Sequence, residues 1–235
     1  MSKLSHNKVA SREEVTAHFR SGMTLLAGGF GPAGFPTMLY EWLYESGCTD
    51  LRVITSGVAP PAAPFQLGFA RLLDERRITS LTLTHAANNP EVGRQRDQGV
   101  LAVEAVPQGT FVERIRAGGC GLGGVLTPTG VGTPVAEGKQ VLRLRGRDYL
   151  LEEPIRAETA ILRAEKADKM GNLMFRHTSR NYNTVIPAAA DFVVVEVPEE
   201  SIVEVGEMAD CEVMVPGVFV DLIAPIPKGC AFYER

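Results

Sequence analysis

The stretch LLAGGFGPAGFP, residues 25–36, decides how the rest of the chain is read. An apolar run ends in glycines, and Gly29, Gly31 and Gly34 within it spell G-x-G-x-x-G. A strand that breaks into a glycine turn before a helix belongs to an open α/β sheet, and this spelling is the one that seats a dinucleotide's pyrophosphate. The dinucleotide reading also needs an acid at the end of the next strand, about 20 residues on, to hold the ribose hydroxyls. The next apolar run, residues 51–55, leads instead into Ser56-Gly57-Val58, and the nearby acid, Asp50, precedes the run. Pro32 and the pair Phe35-Pro36 delay the helix beyond the fingerprint, which leaves residues 29–35 as a loop. An NAD-dependent oxidoreductase therefore lacks its parts. Two readings of the glycines remain: a backbone-lined site for a carboxylate or oxyanion at a strand's carboxyl end, or close packing of helix on sheet.

Outward from this stretch the pattern alternates. Ser11 followed by Glu14 has the spacing of a capping box ahead of Val15 and Phe19, predicting a helix to about residue 21 that Gly22 stops. Residues 23–27 read as a strand, and Pro36 suits the first position of a helix carrying Leu39, Trp42 and Leu43 up to Gly47. Strands at 51–55, 78–84 and 101–106 then alternate with helices at 64–74, 90–98 and 110–117. Such alternation implies an α/β fold with a mostly parallel sheet and helices on both faces. The segment GGCGLGGVLTPTGVGTPVAEG, residues 118–138, is too irregular for a helix and too long for an ordinary turn, so it reads as a functional loop. Beyond it the chain is more β-rich. Residues 142–144 and 149–151 flank the polar turn RGRD, residues 159–164 precede the turn DKMGN, and 191–197 form an apolar strand. With no internal repeat or linker, residues 1–235 read as one domain.

The 235 residues are 45% hydrophobic and 22% charged with a net charge of −4, without the basic excess that nucleic acid requires of a partner. The N-terminal MSKLSHNKVASREE carries no apolar core of a signal peptide, and nowhere do about 18 apolar residues run together, so the expectation is a cytoplasmic protein without a membrane span. Cys48, Cys120, Cys211 and Cys230 form no C-x-x-C pair and read as ordinary reduced thiols.

The candidate chemistry is sparse. His6, His18, His85 and His177 lack metal-ligand spacing; His85 follows the third strand and either faces the site or serves as a structural hydrogen-bonding group. Neither a G-x-S-x-G elbow nor a phosphate-binding G-x-x-x-x-G-K-[ST] loop occurs, and no nucleophile is visible. Gln108, in Pro107-Gln108-Gly109-Thr110, stands where a fourth strand ends; it is either an amide donor to an oxyanion or a solvated helix-entry residue. Arg180-Asn181-Tyr182-Asn183 either caps turns or lines a site.

GGFGPAGFP (28–36), VPQGTFVERIRAGG (106–119), GVLTPTGVGT (124–133), LRAEKADKMGNLMF (162–175) and SRNYN (179–183) together resemble, in order and spacing, the α subunit of the family I coenzyme A transferases. Members of this type include acetate, acetoacetate (3-oxoacid) and 3-oxoadipate CoA-transferases. The resemblance implies a three-layer α/β/α fold and a divided enzyme whose nucleophilic glutamate lies on a β subunit, within a Glu-x-Gly type motif. Glu137-Gly138 does not match that motif. In the implied ping-pong reaction the partner's glutamate attacks an acyl-CoA thioester, passes through an acyl anhydride, and forms a glutamyl-CoA thioester that a second carboxylate cleaves. Coenzyme A is then a substrate, and no metal or other cofactor is expected. Carried over by position, Gly29, Phe30, Gly31 and Gly34 fall on the loop beside the acyl group, Ser56 and Gly57 on the adjacent substrate-binding turn, and Gln108 on a glutamine near the catalytic glutamate. Ser56-Gly57 stands where several relatives carry an asparagine, and Ser21 where an Asp or Asn commonly opens the glycine signature. Two other readings stay open: a non-catalytic binding or regulatory module on this fold, and a self-sufficient isomerase-type enzyme using His85 and Glu91.

Overall fold

The computed structural model describes residues 5–60, 63–86 and 89–230, so the first four residues of the N-terminal stretch lie outside it. In chain order the elements are α1 (Arg12–Thr16), β1 (Thr24–Ala27), α2 (Thr37–Glu45), β2 (Leu51–Ile54), α3 (Leu67–Asp74), β3 (Ile78–Leu83), α4 (Pro90–Asp97), β4 (Ala102–Ala105) and α5 (Gln108–Gly119). There follow β5 (Val125–Thr127), β6 (Val141–Leu144), β7 (Arg147–Glu152), β8 (Ala157–Arg163), β9 (Lys166–Asp168), β10 (Leu173–Met174), β11 (Ala190–Pro198), β12 (Ile202–Val203) and β13 (Leu222–Ile226).

The main sheet has seven strands in the order β13-β11-β8-β1-β2-β3-β4, and every pairing in it is parallel. Strand β1 is therefore the centre: the chain steps outward from it to β4, then returns to build β8, β11 and β13 on its other edge. Two three-stranded sheets, β10-β9-β12 and β5-β7-β6, make up the β-rich remainder.

Because strand side chains alternate between faces, the central strands feed two cores. Leu25 of β1, Val53 of β2, Ile161 of β8 and Val194 of β11 join Val15, Leu39, Leu43, Phe69, Leu72 and Val92 of α1 to α4 on one face. Leu26, Ile54, Leu162 and Val195, the neighbours on those strands, pack with Phe111 and Ile115 of α5 and with Tyr182, Ile186 and Ala189 on the other. This is the expected three-layer arrangement, with the second helical layer thinned to α5 and short 3₁₀ turns. Each fully buried Leu or Ile contributes about 1.5–3 kcal/mol of transfer free energy.

Several boundaries differ from the sequence expectation. The capping box at Ser11 and Glu14 forms, but α1 ends at Thr16 because His18 and Phe19 donate three residues back, to Val15 and Thr16, and tighten the turn. Pro36 is the residue preceding α2, not its first helical residue, and supplies no side-chain cap. The buried Glu196 side chain of β11 accepts from the Leu39 N–H at 2.9 Å instead, satisfying one of the open donors of the helix's first turn. Residues 64–66 form a 3₁₀ turn ahead of α3, and α5 begins at Gln108 and extends to Gly119. The hairpin turn between β6 and β7 narrows to Arg145 and Gly146, both at positive φ (50° and 80°), as a two-residue hairpin loop requires.

Residues 118–138 are not a free loop throughout: Val125–Thr127 pair with β7 as β5. An ion network fastens this small sheet to the main one. The buried Glu152 of β7 takes Lys139 at 2.8 Å and stands 3.8 Å from Arg114 of α5, which pairs with Glu104 of β4 at 2.6 Å.

Candidate active site

Where strand order reverses beside β1, the chain leaves β1 and β8 toward opposite edges of the sheet, which makes the carboxyl ends of these strands a switch point. Ligands of open α/β sheets bind at such a switch point. The glycine stretch lies there. Phe30 and Ala33 exchange backbone hydrogen bonds of 3.1 and 3.2 Å, so residues 30–33 form a tight two-residue turn with Gly31 at its tip, at φ 55°.

The glycines divide by role. A Cβ on Gly29 would come within 2.8 Å of the Phe35 Cα, and one on Gly34 would run into the Asn183 amide, so these two serve the packing of the loop upon itself. A Cβ on Gly31 would meet nothing within 4 Å. Its N–H finds no acceptor among the described residues. The packing reading of the fingerprint therefore holds at Gly29 and Gly34, while Gly31 at the tip of the turn has open space around it. Phe30 beside it is 43% exposed.

Polar side chains hold the loop from beneath by taking its carbonyls. Ser56 Oγ, buried after β2, donates to the Gly29 carbonyl at 2.6 Å, committing that hydroxyl to the loop. Asn181 Nδ2 donates to the Ala33 carbonyl at 3.0 Å, and Asn183 Nδ2 to that of Gly34 at 3.1 Å. The SRNYN segment thus takes the capping role the sequence allowed, Asn181 Oδ1 accepting from the Tyr182 N–H at 2.6 Å, and clamps the loop's carbonyls as well.

Gly57 lies against His85, whose ring would sit 2.7 Å from a Cβ there, and the two residues bridge the ends of β2 and β3. His85 is exposed, with its ring 6.4 Å from that of Phe30 and Nδ1 3.2 Å from the Thr84 hydroxyl. The glycine loop, Ser56, Gly57 and His85 accordingly form one patch along the carboxyl ends of β1, β2 and β3.

Gln108 stands apart, at the carboxyl end of edge strand β4, three positions from β1 in the sheet. It is exposed, as the first residue of α5. Its link to the loop is Tyr182, which packs edge-on against Phe111 of α5 at 5.3 Å and sits between Asn181 and Asn183. Burial pushes the Tyr182 phenol up from its ordinary pKa, and the nearby Gln108 amide pulls part of the way back. The phenol makes no hydrogen bond of regular geometry among the described residues, so we regard Gln108 as its neighbour rather than its partner. Beside this helix start, a cleft of about 500 Å³ runs between Gly109, Thr110 and Glu113 of α5 and Leu126, Thr127 and Thr129.

Three carboxylates near this edge, those of Glu91, Glu165 and Glu196, serve donors within the chain, while Glu199 and Glu200 just past β11 are exposed. Burial alone would raise the Glu91 pKa, but hydrogen bonds from Gln95 and Arg94 hold it below the usual range, so it stays ionised and bound within α4. Glu165 accepts from the Ser179 hydroxyl at 2.8 Å and from the Arg176 N–H at 3.1 Å. Glu196 serves α2. No cluster of histidine, cysteine or acidic side chains suited to a metal occurs among the described residues, and no helix there is long and apolar enough to cross a membrane.

The family model for coenzyme A transferase matches residues 9–224. The chain is 44% identical over 216 residues to the acetate CoA-transferase subunit alpha of Escherichia coli K12, covering 92% of this chain and 96% of that one. It is 35% identical over 222 residues to the acetoacetyl-CoA:acetate/butyrate CoA transferase alpha subunit of Clostridium acetobutylicum, covering 94% and 99%. Among solved structures, it superposes with a TM-score of 0.82 at 20% identity on an acyl-CoA transferase apoenzyme of Escherichia coli O157:H7, covering 94% of this chain and 47% of that longer one. The TM-score is 0.81 at 17% identity for glutaconate coenzyme A-transferase of Acidaminococcus fermentans, covering 95% and 77%. With the family model running from the N-terminal segment through β1, the glycine loop and its clamps to the last strand of the sheet, the chain belongs to the coenzyme A transferase family, as a chain of the α-subunit type within that class of enzyme.

Proposed function

We propose that this chain works with a β subunit to move coenzyme A between an acyl-CoA and a small carboxylic acid such as acetate or a 3-oxoacid, in the cytoplasm and without a metal or other cofactor. The observation that carries this is the polarity of the glycine loop. Ser56, Asn181 and Asn183 take the carbonyls of Gly29, Ala33 and Gly34, while the Gly31 N–H at the tip keeps no acceptor among the described residues. A surface with its acceptors turned inward and a donor turned outward suits an acyl oxygen that gains negative charge. The nucleophile is assigned to the partner on the likeness to α subunits, and Glu91, Glu165 and Glu196 each serve donors within this chain.

In the reaction so assigned, the partner's glutamate attacks the thioester carbonyl and expels the CoA thiolate, giving an acyl anhydride. The thiolate then attacks the glutamyl carbonyl of that anhydride, releasing the first acid and leaving a glutamyl-CoA thioester. The incoming carboxylate repeats the two steps in reverse order. Throughout, this chain supplies a wall at the acyl group, with Phe30 as its apolar face and the Gly31 N–H as a donor, and Gln108 reaches in with its amide from the far side of Tyr182. The test is the rate of CoA transfer by this chain with and without a β subunit, and a substantial rate from the chain alone would refute the divided site.

The role of Gly31 is separable from folding. Gly31→Ala adds a methyl group into open space at positive φ, which costs about 1–2 kcal/mol, so the chain should fold and bind its partner while turnover drops. Gly34→Ala, pushed onto the Asn183 amide, should lose thermal stability instead. Melting curves beside turnover numbers for both variants check this, and normal turnover with alanine at residue 31 would restrict the loop to packing.

A further inference from the structure

Asn183 is fully buried between the SRNYN turn and the glycine loop. Its Nδ2 donates twice, to the Gly34 carbonyl at 3.1 Å and to the Ser179 carbonyl at 2.9 Å, which fixes the orientation of the amide. The same amide fills the volume that two absent side chains leave. A Cβ on Gly28 would fall on Asn183 Oδ1, and one on Gly34 would fall on its Nδ2. Gly28 and Gly34 are the two ends of the loop, so a single planar group is wedged between them. Asn183 Oδ1 has no hydrogen-bond partner. The fold tolerates an unpaired buried acceptor here, facing the Gly28 Cα–H, and keeps both donors on carbonyls. Asn181 braces the arrangement, donating to the Ala33 and Thr178 carbonyls at 3.0 and 2.8 Å.

We propose that Asn183 is the positioning residue of the glycine loop: its amide spaces the loop's two ends and holds the carbonyl of Gly34 inward, so that the Gly31 tip faces the acyl group. The effect on turnover rests on the functional reading given above; the effect on loop conformation does not.

The informative substitution is Asn183→Asp, equal in size but with a carboxylate oxygen where two carbonyls now receive N–H donors. Hydrogen exchange of the full-length chain should show faster exchange confined to residues 28–35, with β1 and β8 still protected. In the reconstituted complex, kcat should fall by about 10²-fold, the scale of a misplacement of about 1 Å, with KM for the acyl-CoA little changed. Protonating the new carboxyl restores a donor, so the ratio of variant to wild-type kcat should rise as the pH falls. Gly28→Ala presses on the same amide from the other end without changing charge and should give the same local exchange. Unchanged exchange at residues 28–35 in both variants would overturn the assignment, as would protection lost evenly across the sheet in both, which marks a purely structural residue. Faster local exchange with wild-type kcat would uphold Asn183 as the clamp and refute the catalytic reading of the loop instead.

Discussion

Purified alone, this chain is expected to show no CoA transfer, and mixing it with a β subunit should restore turnover. The expectation follows from the proposed division of the site, and from how three carboxylates near it are held. Covalent transfer between two acids needs a carboxylate free to attack, and three candidates are committed elsewhere: Glu196 caps α2, Glu165 holds the SRNYN turn, and Glu91 is tied to Arg94 and Gln95. Removal of the nucleophile from a covalent mechanism costs on the order of 10⁶ in rate. The isolated chain should therefore be silent in an assay that follows acyl-CoA and free acid by chromatography, with stray β subunit excluded by mass spectrometry. Silence of the mixture as well, under conditions where the two chains co-elute, would favour a non-catalytic module on this fold. Appreciable transfer by the chain alone would sink the division of labour and return attention to His85.

The second large effect is expected at Gln108. Loss of one preorganised donor to a developing oxyanion costs about 10² to 10³ in rate, so Gln108→Ala should slow the reconstituted complex by that factor without abolishing its activity. Gln108→Glu should be slower still, because a carboxylate beside the partner's glutamate repels it and raises the pKa of one or both groups. Stability moves the other way. Residue 108 opens α5, whose preceding residue, Pro107, supplies no side-chain cap, so a glutamate there meets the positive end of the helix and should add about 0.3–1 kcal/mol. A variant that melts later and turns over more slowly separates the chemical role from the structural one. Equal rates for wild type, Ala and Glu would reduce Gln108 to a turn residue.

How much of this was legible in the sequence depended on the distance over which each feature is encoded. The alternation of strands and helices, the capping box at Ser11 and the hairpin around Arg145-Gly146 are written within a few residues, and they appear where expected to within a turn. The early end of α1 and the 3₁₀ start of α3 are shifts within a turn, whereas the capping of α2 by Glu196 is not local. The last joins residues 157 positions apart in the chain. The site divided in the same way. The glycine turn announced itself, but the split between Gly31 and its neighbours depends on Asn183 and Phe35 filling the adjacent space, which no spacing rule reveals. SRNYN carried part of the signal, a polar run suited to capping turns or to lining a site. The fold shows the capping at Asn181 and adds the clamping of the Ala33 and Gly34 carbonyls, which the sequence did not announce.

The central position of β1 has a consequence for the order in which the site comes into being. Its partner β2 begins at Leu51, but its other partner, β8, begins at Ala157, and the asparagines that clamp its loop stand at 181 and 183. A ribosome adds about 5–20 residues per second, so for several seconds the nascent chain carries the glycine turn with only Ser56 to hold it. The half-sheet β1 to β4 is complete in that interval, yet one edge of its first strand stays open, the kind of exposed backbone that invites wrong pairing. Closure of that edge by β8 and locking of the loop by Asn181 and Asn183 come from the same late stretch of chain. The working shape of the first loop is thus written into the last third of the message.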